Sequence, residues 1–181
     1  MDCPSKALPG QRDMFGAAAT PPPAPELTPE IMRAALAKLR GQVSAQVDEG
    51  TTCPCCNQYV KRYKRALNST MARWLIWLVR TSKDTPGGWV DIKRCPVRGG
   101  DYAKLMHWGM VTQAQADDGA NRSGMWRPTE QGIQFAYSVT RVPSHVFLLT
   151  GQVDGWATTT TDIREALGKR FDYLELMGLV P

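Results

Sequence analysis

Three cysteines stand within four residues in the stretch CPCC, at Cys53, Cys55 and Cys56. The spacing of the first and third is that of a tight turn whose backbone amides support two zinc-bound thiolates. Asn57 follows, and asparagine tolerates the left-handed backbone conformation that such a turn needs. We therefore expect Zn²⁺ as the cofactor, with reduced cysteines in an ordinary turn as the alternative. The other candidate ligands are Cys55, Cys95, Cys3, His107 and His145.

Cationic and aromatic side chains follow the cysteines directly, in the run VKRYKRAL. Its apolar positions recur at helical spacing, which predicts a basic helix with cations on the remaining faces. These cations are Lys61, Arg62, Lys64 and Arg65. Residues 53–111 carry eleven Lys and Arg against three Asp and Glu, a net charge of +8, whereas both flanks are slightly acidic. Clustered cations suit a phosphate-bearing partner, and a merely solvated helix face is the alternative.

The elements before and after this run are predicted from caps and apolar spacing. Residues 1–26 are rich in proline and alanine and predict a disordered tail. A helix is expected to begin at Thr28 and to end near Gly41. The stretch STMARWLIWLVRTSK has a wide apolar stripe and follows Asn68, which can cap it, so it predicts a buried core helix.

The segment from Trp89 to Tyr137 alternates short strands and helices. A strand at 89–92, a helix at 101–108, a strand at 110–116, a polar loop, a strand at 125–127 and a helix from Thr129 are expected in that order. With the core helix, residues 69–139 then resemble a winged helix-turn-helix domain, and the stretches YAKLMHWGMV and MWRPTEQGIQFA are similar to its recognition helix and wing. The layout of the whole chain also resembles that of small phage or prophage proteins.

The resemblance implies double-stranded DNA as partner, in a transcriptional or replication-associated regulator. Besides the four cations of the basic run, it assigns DNA contacts to Arg94, Arg98, Tyr102, Lys104, Arg122 and Arg127, the last two on the wing. The predicted recognition helix is poor in Asn, Gln and Arg beyond Arg98, so little dedicated base reading is expected and phosphate contacts should dominate. The alternative is a phage-encoded protein-interaction factor that acts on host machinery without sequence-specific DNA binding.

The expected fold class is α+β, a winged-helix core with additions at both ends. The predicted segments are the tail 1–26, the helix, cysteine turn and basic helix of 27–68, the winged-helix domain 69–139, and a hairpin with an amphipathic helix at 140–181. In that last helix Ile163, Leu167, Phe171 and Leu174 share one face. This apolar face predicts self-association into a homodimer.

Catalysis, membrane insertion and secretion find little support in the residues. No nucleophile, base and orienting group can be assembled from two isolated histidines, so we expect that the protein is not an enzyme. No segment has the length and apolar content of a membrane span or a signal peptide. The clustered, odd set of five cysteines fits a reducing compartment. We expect a cytoplasmic protein of a bacterium or of a phage-infected cell.

Overall fold

Helices and short antiparallel strands alternate along the chain, which confirms the α+β class. The structure is a computed structural model that describes residues 28–115 and 124–179. The predicted tail 1–26 and Arg122 of the predicted wing lie outside these ranges. The α-helices are α1 Pro29–Gln46, α2 Ser69–Lys83, α3 Glu130–Ala136, α4 Ile163–Leu167 and α5 Tyr173–Met177, and the 3₁₀ helices are Pro86–Gly88, Ile92–Arg94 and Asp101–Met106. The strands are β1 Thr51–Thr52, β2 Tyr59–Val60, β3 Arg62–Ala66, β4 Val90–Asp91, β5 Val111–Gln113, β6 Met125–Pro128, β7 Val142–Pro143, β8 His145–Leu149, β9 Gln152–Trp156 and β10 Thr160–Thr161.

Helix α2 is the centre of the hydrophobic core, as its apolar stripe predicts. The Asn68 side chain caps it by accepting a hydrogen bond of 3.0 Å from the Met71 amide. Trp74, Leu75 and Leu78 are fully buried along its inner face. The helix packs against β6, α3, α4, α5 and the Asp101–Met106 helix. These elements are therefore positioned through one common helix.

The strands β4, β6 and β5 form a three-stranded antiparallel sheet with β6 in the middle. Val90 of β4 lies opposite Trp126, and both side chains are buried. The first turn of α3 follows β6 directly, because Thr129 accepts a 3.1 Å hydrogen bond from the Gly132 amide. The expected hairpin and the expected helix after it are both confirmed.

The predicted basic helix over VKRYKRAL is wrong, because this run forms the edge strand β3. Its five residues pair antiparallel with β8, in a sheet of order β3, β8, β9. Tyr63 lies opposite Leu148 and Arg65 opposite Val146, two buried residues from a segment far along the chain. Pairing with this distant hairpin overrides the local helical spacing of the apolar residues.

Two further boundaries differ from the sequence predictions. Helix α1 continues past Gly41 to Gln46, since glycine in a helix costs only about 1 kcal/mol relative to alanine. The single C-terminal amphipathic helix is replaced by α4 and α5, because Gly168 adopts a φ of 68° and ends α4. Ile163 and Leu167 are buried in the core of this same chain, whereas Leu174 is 43% exposed, so the apolar face predicted for a homodimer is covered only in part.

The residues from Arg40 onward form one compact unit, and those up to Leu39 belong to another. The larger unit unites segments that the sequence divides at residues 69 and 140, since β3 and β8 share a sheet. Within the part of the chain that the structure describes, none of the helices has the length and apolar content needed to cross a membrane.

Gly132 gives a direct test of the junction between β6 and α3. A Cβ atom at this position would lie 2.0 Å from the Met110 carbonyl oxygen, which is backbone and has no room to move. Overpacking of this kind costs about 1–3 kcal/mol. We expect Gly132→Ala to lower Tm by roughly 3–10 °C at this chain length. Thermal melts followed by circular dichroism measure the shift.

The matched control is Gly41→Ala in α1, where the added Cβ meets nothing within 4 Å. Alanine is the better helix former, so this variant should melt at or slightly above the wild-type temperature. Equal melting temperatures for Gly132→Ala and the wild type would contradict the close approach of α3 to Met110.

Candidate nucleic-acid interface

Three aromatic rings fix the Asp101–Met106 helix, which the sequence predicts to be a recognition helix. The Tyr102 ring stacks on Trp74 of α2 with centroids 4.7 Å apart and planes 15° apart. It also meets Trp126 of β6 edge-on at 5.4 Å. Geometries of this kind add to the free energy of burial. The ring of Tyr102, predicted to contact DNA, is therefore used for packing between α2 and the sheet.

Lys104 and Arg65 both act on one carboxylate at the start of this helix. The Lys104 ammonium donates a hydrogen bond to the Asp101 carboxylate three residues earlier. This bond holds the pKa of Asp101 below its usual value, and the field of Arg65 acts in the same direction. Lys104 contacts Asp101, whereas Arg65 acts on it only through its field. We use the name basic cluster for Lys64, Arg65 and Lys104, of which Lys64 and Arg65 are consecutive residues of β3 whose side chains leave opposite faces of the strand.

The β3 members of the basic cluster are exposed. The Arg65 guanidinium lies 5.3 Å from the centroid of the Tyr63 ring, and 45% of the Tyr63 surface is accessible. Lys64 is exposed beside it. The pKa of His145 is lowered by the partial burial of its ring and, to a smaller extent, by the charge of Lys64. The pKa of His107 is likewise lowered by partial burial of its ring and, to a smaller extent, by the charge of Lys104. Both histidines thus sense the positive charge of this surface.

Arg62, which belongs to the same cationic run, has its charge matched inside the protein. Its Nε lies 2.6 Å from an Asp154 carboxylate oxygen and its Nη1 lies 3.1 Å from an Asp48 oxygen. These carboxylates come from β9 and from the turn after α1. Arg62 therefore ties these segments together, and we no longer assign it a phosphate contact. Lys61 is half-buried between β2 and β3.

The remaining predicted DNA contacts divide between two places. Arg127 is exposed on β6, where its guanidinium lies 4.7 Å from the centroid of the Trp89 ring. Arg98 is exposed in the loop before the Asp101–Met106 helix. Arg94 instead lines a cleft beside α2 together with Arg73 and Arg80. Nothing can be said of Arg122, which is outside the described ranges.

The cysteine cluster sits in the turn between β1 and β2. The Cys53 amide donates to the Gln58 carbonyl at 2.8 Å, and the Asn57 amide donates to the Cys53 carbonyl at 2.9 Å. Asn57 has a φ of 58°, the left-handed conformation expected there. Hydrogen bonds from the Cys55 and Cys56 amides lower the pKa of the Cys53 thiol. This arrangement favours a thiolate, which is the form that binds metal.

Cys95 has a different environment. It is half-buried against the hydrophobic core, and burial raises the pKa of its thiol. Cys55 and Cys56 are exposed. Among the residues of 28–115 and 124–179, no three His, Cys, Asp or Glu side chains lie together as a metal site would need. Cys95 is a candidate ligand by residue type alone, because the sequence does not show that its thiol packs against the core.

Sequence reasoning missed Asp101 as a charge partner and the arginines on the outer face of α2. Asp101 is the first residue of the short helix, after Gly100 at the N-cap position. Arg73 and Arg80 were overlooked because the apolar stripe of α2 dominates its pattern. Their spacing of seven residues, two helical turns, is the signal that places both on one face.

Comparison with known proteins identifies no relative of this chain. No family model matches the chain, and no match was found among curated proteins or among solved structures.

Proposed function

We propose that the protein is a winged helix-turn-helix DNA-binding protein that acts as a transcriptional or replication-associated regulator. The order α2, β4, the Asp101–Met106 helix, β5, β6 and α3 supports this proposal. A wing needs two antiparallel strands around a polar loop, attached to the helices, and β5 and β6 pair in this way beside β4. The helix that precedes the hairpin packs on the core helix α2.

One observation supports the DNA part of this proposal, namely that the charge of Arg65 on β3 acts on the same Asp101 carboxylate that Lys104 of the short helix binds. Cations from two elements therefore lie in the same part of the molecule, and a phosphate backbone releases counterions to clustered charge. The 3₁₀ helix is six residues long and buries Leu105. Its few outward side chains favour backbone contacts over base reading.

The basic cluster can be tested by its effect on salt dependence. The double variant Lys64→Ala/Arg65→Ala should weaken binding to all duplexes alike and reduce the slope of log K against log salt by about two. Asp101→Asn removes the opposing charge and should tighten binding. Arg98→Ala should change the preference among duplexes, because Arg98 precedes the short helix. Fluorescence anisotropy with labelled duplexes at several salt concentrations measures all three effects.

The control is Lys169→Ala/Arg170→Ala, which removes two exposed cations outside the basic middle of the chain. It should leave the slope unchanged. Equal slopes for the two double variants would refute contact through β3. A wild-type protein that binds no duplex even at low salt would refute DNA binding and favour the protein-interaction factor.

We also propose that the Cys53–Cys56 turn binds Zn²⁺ through the thiolates of these two residues. The left-handed Asn57 and the amide hydrogen bonds to Cys53 support this proposal, because they pre-form the turn before metal arrives. The remaining ligands are to be found by substitution, starting with Cys55, because Cys95 packs against the core.

Protein purified without chelator should contain near-stoichiometric zinc by elemental analysis. Cys53→Ser and Cys56→Ser should each abolish it. Cys95→Ser should leave the zinc content unchanged, because that thiol is packed against the core. Fully folded wild-type protein that contains no zinc and takes none up would contradict the proposal.

A further inference from the structure

A cleft of about 590 Å³ runs along the outer face of α2. The residues that line it do not include those of the basic cluster. Three arginines line it, Arg73, Arg80 and Arg94, and the indole of Trp77 lies between the first two along the helix. Two carboxylates, Asp84 and Glu175, also line it. Its lining is thus unlike an apolar gap between packed elements, because half of its twelve lining residues are charged or aromatic.

Arg73 is held in place by packing rather than by a carboxylate. Its guanidinium carbon lies 4.3 Å from the centroid of the Phe171 ring. Its Nε is buried and has no hydrogen-bond partner among the residues described. In the described ranges no Asp or Glu oxygen lies within 4.0 Å of its guanidinium, so the charge of Arg73 is not matched by an ion pair there.

The other two arginines also lack a carboxylate partner within the described ranges, where neither lies within 4.0 Å of an Asp or Glu oxygen. Arg80 donates from Nη1 to the Leu176 carbonyl at 2.7 Å, which orients its fork. Arg94 is exposed at the end of its 3₁₀ helix. A guanidinium has five donors in a planar fork that suits phosphate and carboxylate oxygens.

The charges are unevenly distributed along the cleft. The field of Arg73 reaches Cys95, so Arg73 lies at the end formed by Arg94 and its neighbours. Asp84 caps the other end of α2, eleven residues later, which corresponds to roughly 16 Å along a helix. An anionic group is therefore favoured at the Arg73 end. Trp77 is one turn further on, within reach of a planar ring attached to that anion.

We propose that this cleft binds a small ligand in which a phosphate is joined to a planar ring, of the class of nucleoside monophosphates. The phosphate contacts Arg73 and Arg94, and the ring lies against Trp77. Such a ligand would give the charge of Arg73 an anionic partner, which no described carboxylate supplies.

Isothermal titration calorimetry of the full chain with adenosine and guanosine monophosphates tests this proposal. At least one should bind with Kd below about 1 mM, and the matching nucleoside should bind at least about tenfold more weakly. Arg94→Gln should weaken nucleotide binding by about tenfold, because the guanidinium contacts the phosphate. Arg94 is exposed, so this variant is expected to fold. Its control is Lys93→Gln, an equal charge change at a neighbouring exposed residue outside the cleft.

Three outcomes would overturn the proposal. Neither nucleotide binds at millimolar concentration, or nucleoside and nucleotide bind equally, or Arg94→Gln and Lys93→Gln have equal effects. A further arm separates a free nucleotide from the phosphodiester of a nucleic acid. A single-stranded dodecamer that binds through Arg94 more tightly than either nucleotide would assign the cleft to the nucleic-acid backbone and refute the small ligand.

Discussion

The stacking of Tyr102 between α2 and the sheet is the contact on which the rest of the arrangement depends. Trp74 meets Tyr102 at 4.7 Å and Trp126 at 5.9 Å, so three elements share one aromatic cluster. Rings of this size bury a large apolar area and restrict rotation about the contact. The short helix is thereby held against α2 at a fixed position, with Lys104 on its outer side. Without this cluster, a six-residue 3₁₀ helix would have little reason to stay ordered.

Two surfaces around this core carry positive charge, and they differ in how their cations are arranged. Lys104 binds the Asp101 carboxylate, on which the charge of Arg65 also acts, whereas Arg73 and Arg94 line a cleft on the outer face of α2. The positive charge of residues 53–111 is therefore divided between two surfaces. A long anionic polymer suits exposed cations on a strand edge, and a small anion suits a cleft lined by guanidinium groups.

Local signals in the sequence predict much of the fold around α2. Asn68 and Thr129 act as caps through single hydrogen bonds, so neighbouring residues are enough to identify them. Strand β3 could not be predicted in this way, because its partner β8 lies about eighty residues further along the chain. The same limit applies to the site. The charge of Arg62 is neutralised by Asp48 and Asp154, two carboxylates that are far apart in the sequence and come together only in the folded chain.

Hydrogen–deuterium exchange of the free and duplex-bound protein tests the central claim most directly, because it locates the contact without any substitution. The account predicts slower exchange on duplex binding in Arg62–Ala66 and in Asp101–Met106, the two elements that carry the basic cluster. Exchange in α5 should not change. Protection confined to segments outside these two elements, with saturating duplex bound, would contradict the account.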